Sequence, residues 1–298
     1  MTKVFFKVVK WGLCLSIFSF LAWRIYIDWE KLGDEVIIKV NYYYLVSAFI
    51  ILMFLSFFQT YIWKVMIESL SCRISYLKAF RIFTLSNLGR YVPGKIWQFF
   101  GAAYLSEKEN ICGIKAGLVT ATNFMISVLS GGVFSLFLLY QNPFVRERLD
   151  LKVAIFSLIL LLSLLHPYSM DKITKLIKKI TGRQLEIASF SFLSMVRFFL
   201  LFLLLWVIYG VAFILFVQSF YNINFIEDFS IAGVYPLSFI LGYMVLFAPA
   251  GLGVREGILT YLLTYYMPLP IAGIIAIMSR LWLTSVELFS VAIALRVK

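Results

Sequence analysis

The sequence has little of what metal centres, disulfide frameworks and water-soluble surfaces are built from. It contains one histidine and three cysteines among 298 residues, and only 14% of its residues are charged. The cysteines are odd in number and show no CxxC spacing, which argues against a disulfide framework or a zinc site. His166 cannot build a metal site alone. We therefore expect no bound metal.

Apolar residues dominate what is present, at 62% of the chain. A water-soluble protein of this length could not hide that fraction in its interior, so the composition predicts a polytopic membrane protein. The net charge of +12 lies mostly in short loops between apolar runs, where it sets orientation. We therefore expect no nucleic-acid partner.

The apolar runs predict an all-α polytopic membrane helical bundle. Seven runs could span a membrane: 11–27, 42–67, 113–139, 152–167, 190–217, 231–247 and 271–295. Three other apolar stretches, 79–88, 96–105 and 258–266, are too short to span. We expect about seven to eight spans with two broken or re-entrant helices, forming a single domain over residues 1–298. Lys64 and Glu68, one helical turn apart, could form an ion pair.

Basic residues predict the orientation in the cytoplasmic membrane. Lysines precede the first run, the segments 73–115 and 172–183 are rich in Lys and Arg, and Arg296 follows the last run. The positive-inside rule places both termini in the cytoplasm. It also places the break near residue 93, and a second break at 248–257, on the cytoplasmic side.

The first break is the sequence Gly89-Arg90-Tyr91-Val92-Pro93-Gly94-Lys95. Proline restricts its own φ and the backbone of Val92, and Gly94 accepts the positive φ of a Pro-Gly turn. A helix that restarts at Lys95 directs free N–H groups and the positive end of its dipole toward Arg90 and Lys95. This arrangement favours an anion, although both basic residues could instead be interfacial charges that hold orientation.

The second break, Pro249-Ala250-Gly251-Leu252-Gly253-Val254-Arg255-Glu256, repeats the pattern of Pro, Gly and a basic residue that opens a helix. Paired breaks in the two halves of a chain indicate a binding site between inverted repeats, here residues 1–145 and 146–298. The glycine spacing does not match a dinucleotide fingerprint, and a span rather than a strand precedes it. We therefore expect no cofactor.

The last span carries Arg280 and Glu287, which are seven residues apart and share a helix face. Charged residues at that depth face a cavity or pair with one another. Both alternatives stay open for the set Arg255, Glu256, Arg280 and Glu287. A transferase using Glu256 or Glu287 as a base lacks an accompanying nucleophile or metal, so we expect no enzymatic activity.

Three segments resemble the lysylphosphatidylglycerol synthase transmembrane region family of flippase-like proteins: Asn-Leu-Gly-Arg-Tyr-Val-Pro-Gly-Lys-Ile-Trp-Gln (87–98), Ala-Pro-Ala-Gly-Leu-Gly-Val-Arg-Glu-Gly (248–257) and the span with Arg280. The resemblance covers nearly the whole chain and implies movement of a modified phospholipid between leaflets. It implies that a cavity is shaped by Gly89, Arg90, Pro93, Gly94, Pro249, Gly251, Gly253, Arg255, Glu256 and Arg280. The chain shows no region long enough for the soluble aminoacyl-transfer domain of full synthases, so we expect it not to make lysyl lipid.

These observations predict a lipid flippase or transporter. Its substrate would be an anionic or a polyprenyl-, glyco- or aminoacyl-linked membrane lipid, with Arg90, Lys95 and Arg255 holding the phosphate at two half-helix N-termini. The alternative is a non-transporting accessory subunit of an envelope lipid or polysaccharide assembly system. Envelope-synthesis enzymes are its candidate partners.

Overall fold

The structure, a computed structural model, describes residues 40–92, 96–141, 190–224, 229–245 and 248–297. Within these ranges the chain forms eight α-helices and no β-strand. The helices are α1 (Tyr42–Glu68), α2 (Tyr76–Asn87), α3 (Trp97–Lys108), α4 (Gly113–Leu139), α5 (Phe192–Gln218), α6 (Ile231–Met244), α7 (Val254–Leu263) and α8 (Leu269–Arg296). Two short 3₁₀ helices, Leu88–Tyr91 and Pro249–Gly251, follow α2 and α6.

Four helices, α1, α4, α5 and α8, are long and apolar enough to cross a membrane. They confirm the expected spans at 42–67, 113–139, 190–217 and 271–295, and with them the polytopic helical bundle. The expected spans at 11–27 and 152–167 and the basic segment 172–183 lie outside the described residues. The expected pair between Lys64 and Glu68 is confirmed, with 2.6 Å between Nζ and Oε1.

Helix starts follow the local sequence. The side chains of Asn41, Ser75 and Ser191 accept hydrogen bonds from backbone N–H groups in the first turns of α1, α2 and α5, as N-cap residues do. Pro268 and Pro270 frame the start of α8, where a missing N–H costs nothing. These caps fix where each chain segment enters the bundle.

The same order of elements occurs twice along the chain. A helix of 27 residues (α1), a short helix, a 3₁₀ turn, a second short helix and another 27-residue helix (α4) make up the first half. The series α5 to α8 repeats this order, with 27 and 28 residues in its two long helices. The backbone N–H of Asn41, at the start of α1, donates to the carbonyl of Ser219, at the end of α5, over 2.8 Å. The two series therefore run in opposite directions.

The first hairpin, defined as α2, the Leu88–Tyr91 turn and α3, enters the bundle from the end where α1 stops and α4 begins. At its base, Lys78 and Glu109 form an ion pair of 2.6 Å. At its tip, the amide of Gln98 donates to the hydroxyl of Tyr243 on α6 over 2.6 Å. The expected pair of half-helices is confirmed. The tip lies inside the bundle, where it contacts α6 and α8.

The second hairpin, defined as α6, the Pro249–Gly251 turn and α7, enters from the opposite end. Near its base Gly233 packs against Ser135 and Leu138 at the end of α4. Near its tip the ring of Tyr243 contacts the tilted ring of Phe124, with 4.3 Å between ring centroids. The expectation of a full span at 231–247 is wrong, because α6 turns back through α7 to the end where it entered. The 3₁₀ turns of the two tips contact each other although the hairpins enter from opposite ends, and the expectation that both breaks lie on the cytoplasmic side stays a prediction.

Candidate functional site

The tip of the first hairpin contacts α8 through Arg90. Its guanidinium pairs with the Glu287 carboxylate, and the hydroxyl of Tyr91 donates to the other oxygen of the same carboxylate. The side chains of this pair keep 19% and 17% of their surface exposed. Both residues line a cavity, so the pair is accessible to a ligand that enters it.

Gly89 allows this tip to close tightly. A Cβ atom at this position would lie 2.4 Å from the backbone N of Gln98. Only glycine permits such an approach between the 3₁₀ turn and the start of α3. The close approach sets the direction in which the next residue, Arg90, leaves the hairpin.

The tip of the second hairpin has an unusual backbone. Ala250, Gly251 and Gly253 have φ angles of 48°, 73° and 80°. A Cβ atom on Gly251 would also lie 2.9 Å from the carbonyl oxygen of Gly242. Positive φ is strained for residues with side chains, so the turn requires its glycines.

The carboxylate of Glu256 accepts a backbone hydrogen bond at the start of its own helix, α7. One of its oxygens accepts the backbone N–H of Gly253 over 2.7 Å, and the other lies 3.5 Å from Nη1 of Arg280. Arg280 also donates to the carbonyl of Ala250 over 3.1 Å. The anion at this helix start is therefore the chain's own carboxylate, a favourable position near the positive end of the helix dipole.

Arg255 is buried without a carboxylate partner among the described residues. It is 3% exposed, and its guanidinium carbon lies 4.5 Å from the ring centroid of Tyr235 and 5.5 Å from that of Phe239. Its Nη2 atom makes no hydrogen bond. Cation–π contacts offset part of the cost of burial, and the charge of the neighbouring Glu256 carboxylate offsets a further part.

The two tips and α8 form one charged cluster. The ring of Tyr91 lies between Arg90 and Arg280, at 5.4 Å and 5.8 Å from their guanidinium carbons. Among the described residues, this cluster holds three arginines and two glutamates, counting Arg255 and the two ion pairs. It therefore carries a net charge of +1 in the middle of a membrane bundle, where an unpaired charge is costly.

A cavity of about 130 Å³ opens beside Arg90 and Glu287. Residues from α1, α2, α4, α5, α6 and α8 line it, with both polar and aromatic side chains. A smaller space of about 50 Å³ also borders Arg90 and shares Gln59, Asn87, Ser127 and Phe239 with the first. The polar lining of the larger cavity is Ser56, Gln59, Thr84, Asn87, Arg90, Ser127, Tyr209, Tyr235, Glu287 and Ser290.

Of the residues predicted for the site, the structure brings Arg90, Glu287, Glu256 and Arg280 together at the hairpin tips. Gly89, Gly251 and Gly253 shape the backbone there, Pro249 begins the second 3₁₀ turn, and Arg255 lies behind Tyr235 rather than on the cavity wall. Pro93, Gly94 and Lys95 lie outside the described residues.

Sequence reasoning missed the neutral polar residues of the cavity and the role of Tyr91. Gln59 and Asn123 sit in the apolar helices α1 and α4 and face these spaces. A lone polar residue in an apolar helix usually faces the bundle interior. That signal was present in the sequence and could have identified both residues.

A family model described as the lysylphosphatidylglycerol synthase TM region matches residues 10–286, nearly the whole chain. Comparison with curated proteins and with solved structures gives no match.

Proposed function

The chain belongs to the lysylphosphatidylglycerol synthase transmembrane region family, and from this premise we propose that it moves an anionic lipid between the leaflets of a membrane. In this proposal the lipid phosphate binds Arg90 in the cavity while the acyl chains stay in the bilayer.

The observation that carries the proposal is the charge imbalance at the hairpin tips. Among the described residues, three arginines meet two glutamates there, and Arg255 forms no ion pair with a carboxylate. One phosphate with a single negative charge would neutralise the cluster. The Arg90 guanidinium can accept such a group because its planar fork matches phosphate as well as carboxylate.

The opposed hairpins support movement between leaflets. We propose that the two halves are inverted repeats, because their elements follow the same order and α1 runs antiparallel to α5. In transporters built this way, the binding site lies near the midplane between the repeats. Rocking of one half against the other would expose Arg90 first to one leaflet and then to the other.

The proposal differs from the arrangement expected from sequence, in which both half-helix starts hold the phosphate. Glu256 already occupies the start of α7, so we assign the phosphate to the first hairpin alone. Both candidate bases, Glu256 and Glu287, contact arginines. These contacts occupy both carboxylates, which favours transport over group transfer.

The test is leaflet exchange of fluorescent phosphatidylglycerol in vesicles that contain the purified protein. We expect the wild-type protein to exchange lipid faster than protein-free vesicles do. Arg90→Gln should lower the exchange rate at least about tenfold, and Arg90→Lys should retain part of it, because lysine keeps the charge but lacks the planar guanidinium. Arg81→Gln is the matched control, because Arg81 lies on the same hairpin with 40% of its side chain exposed near Glu109.

Wild-type exchange no faster than in protein-free vesicles would overturn the proposal. Equal exchange by the Arg90→Gln and Arg81→Gln variants would overturn the assignment of the phosphate to Arg90. Co-purification of an envelope-synthesis enzyme with an inactive wild-type protein would favour the accessory subunit.

A further inference from the structure

Neutral polar side chains line one wall of the cavity, and they indicate which lipid headgroup it can bind. Gln59 lies on α1, and Thr84 and Asn87 lie one helical turn apart on α2. Among the residues that the structure describes, none of these three side chains has a hydrogen-bond partner. Two amides and a hydroxyl therefore offer donors and acceptors to whatever occupies the cavity.

The opposite wall is aromatic, and its polar atoms are already satisfied. The indole N–H of Trp206 donates to the carbonyl of Ser127 over 2.9 Å, and the hydroxyl of Tyr209 donates to that of Tyr235 over 3.0 Å. Phe239 completes this wall. These side chains therefore offer a ligand mostly carbon surface.

A headgroup with a positive charge fits this cavity poorly. Glu287 is the one carboxylate among the described lining residues, and it already binds Arg90 and Tyr91. Aromatic rings also attract cations, but Arg255 already lies over Tyr235 and Phe239. A second cation at these rings would be repelled by the positive charge of Arg255.

We propose that the cavity recognises a neutral, hydroxyl-rich headgroup of the size of one sugar, attached to the lipid phosphate. The hydroxyl groups would bond to Gln59, Thr84 and Asn87, and the carbon face of the ring would pack on the aromatic wall. The volume of about 130 Å³ is close to the roughly 150 Å³ of a cavity that accepts one six-membered ring, which suits one such unit. This inference rests on the proposed function, because Arg90 supplies the phosphate contact.

The test compares binding of three lipids with matched acyl chains to the purified full-length chain in detergent. Phosphatidylinositol offers a hydroxylated ring on a phosphate, phosphatidic acid offers the phosphate alone, and lysyl-phosphatidylglycerol adds ammonium groups. We expect phosphatidylinositol to bind about tenfold more tightly than phosphatidic acid, as two net hydrogen bonds would provide, and lysyl-phosphatidylglycerol to bind most weakly.

The double variant Gln59→Met with Asn87→Leu keeps side-chain volume and removes both amides. We expect it to lose the preference for phosphatidylinositol and to bind phosphatidylinositol no more tightly than phosphatidic acid. The single variant Thr84→Val gives a smaller loss if the double variant folds poorly. Asn222→Leu is the control, since Asn222 is an exposed amide that pairs with Gln218 at the end of α5.

Equal binding of all three lipids by the wild type, or tightest binding of the lysyl lipid, would overturn this inference. If that binding still required Arg90, the proposed transport of an anionic lipid would stand. Absence of any binding that Arg90→Gln reduces would overturn both.

Discussion

The two hairpins share an order of elements but differ in how their tips are satisfied. The second hairpin supplies its own anion, because Glu256 lies at the start of α7 and contacts Arg280. The first hairpin has no acidic residue at its described tip, and Arg90 reaches across to Glu287 on α8. A tip that is satisfied internally can act as a fixed support. A tip whose partner lies on another helix, beside a cavity, can exchange that partner for a ligand.

The two tips also differ in how deeply their ion pairs are buried. Glu256 is 2% exposed, whereas the Arg90–Glu287 pair borders the cavity. Removing one member of a fully buried pair leaves the other charge without compensation. A pair beside a hydrated cavity can exchange its partner for water at a lower cost. The comparison therefore predicts large stability effects at the second tip and functional effects at the first.

The largest effect is expected for Glu256→Gln. It removes the carboxylate from Arg280 and weakens the start of α7, so we expect a loss of about 3–5 kcal/mol in the free energy of unfolding. Unfolding in mixed detergent micelles measures the loss. The matched variant Glu287→Gln should lose only about 1–2 kcal/mol, and equal losses for the two variants would remove the distinction between the tips.

A smaller effect is expected for Gly251→Ala, which tests whether the second tip is a rigid turn. Its φ of 73° and the 2.9 Å approach to Gly242 predict a loss of about 1–3 kcal/mol in unfolding free energy. Gly257→Ala is the control, because no atom lies within 4 Å of its added Cβ. That control should gain up to about 1 kcal/mol in the helix. Equal stability of both variants would show that the turn tolerates side chains.

The smallest effect is expected for Tyr91→Phe, which keeps the ring between Arg90 and Arg280 but removes the hydroxyl from Glu287. We expect a loss of about 1 kcal/mol, the contribution of one hydrogen bond, in the same unfolding measurement. A loss as large as that of Glu256→Gln would mean that the two tips depend on each other energetically.

Local signals in the sequence were enough to predict most of the helices and both breaks. Apolar runs of sufficient length predicted α1, α4, α5 and α8, and Pro93 and Gly94 predicted the interruption between α2 and α3. These features are local, because helix formation and termination depend on nearby residues. Nearby residues in the sequence do not predict the direction of the second hairpin. With Pro236 inside it, the run at 231–247 has the length of a short span, and only its packing on α4 and α5 shows that it turns back.

The composition of the site was predicted better than its pairing. Arg90, Glu256, Arg280 and Glu287 were selected because charges in apolar surroundings need partners. Which glutamate meets which arginine depends on tertiary packing, since Arg90 and Glu287 are 197 residues apart in the chain. The cavity wall was missed for the same reason. Gln59 and Asn87 become neighbours only when α1 and α2 pack together.

The pairing of Arg90 with Glu287 has a consequence for biogenesis. A chain synthesised from its N-terminus delivers the first hairpin to the membrane long before α8 exists, because 197 residues separate the two partners. Until α8 inserts, Arg90 must remain hydrated or pair with a lipid phosphate, because a buried cation without a counter-ion is costly. Insertion of α8 therefore completes the charge balance of the first hairpin, and the same step closes the candidate binding site.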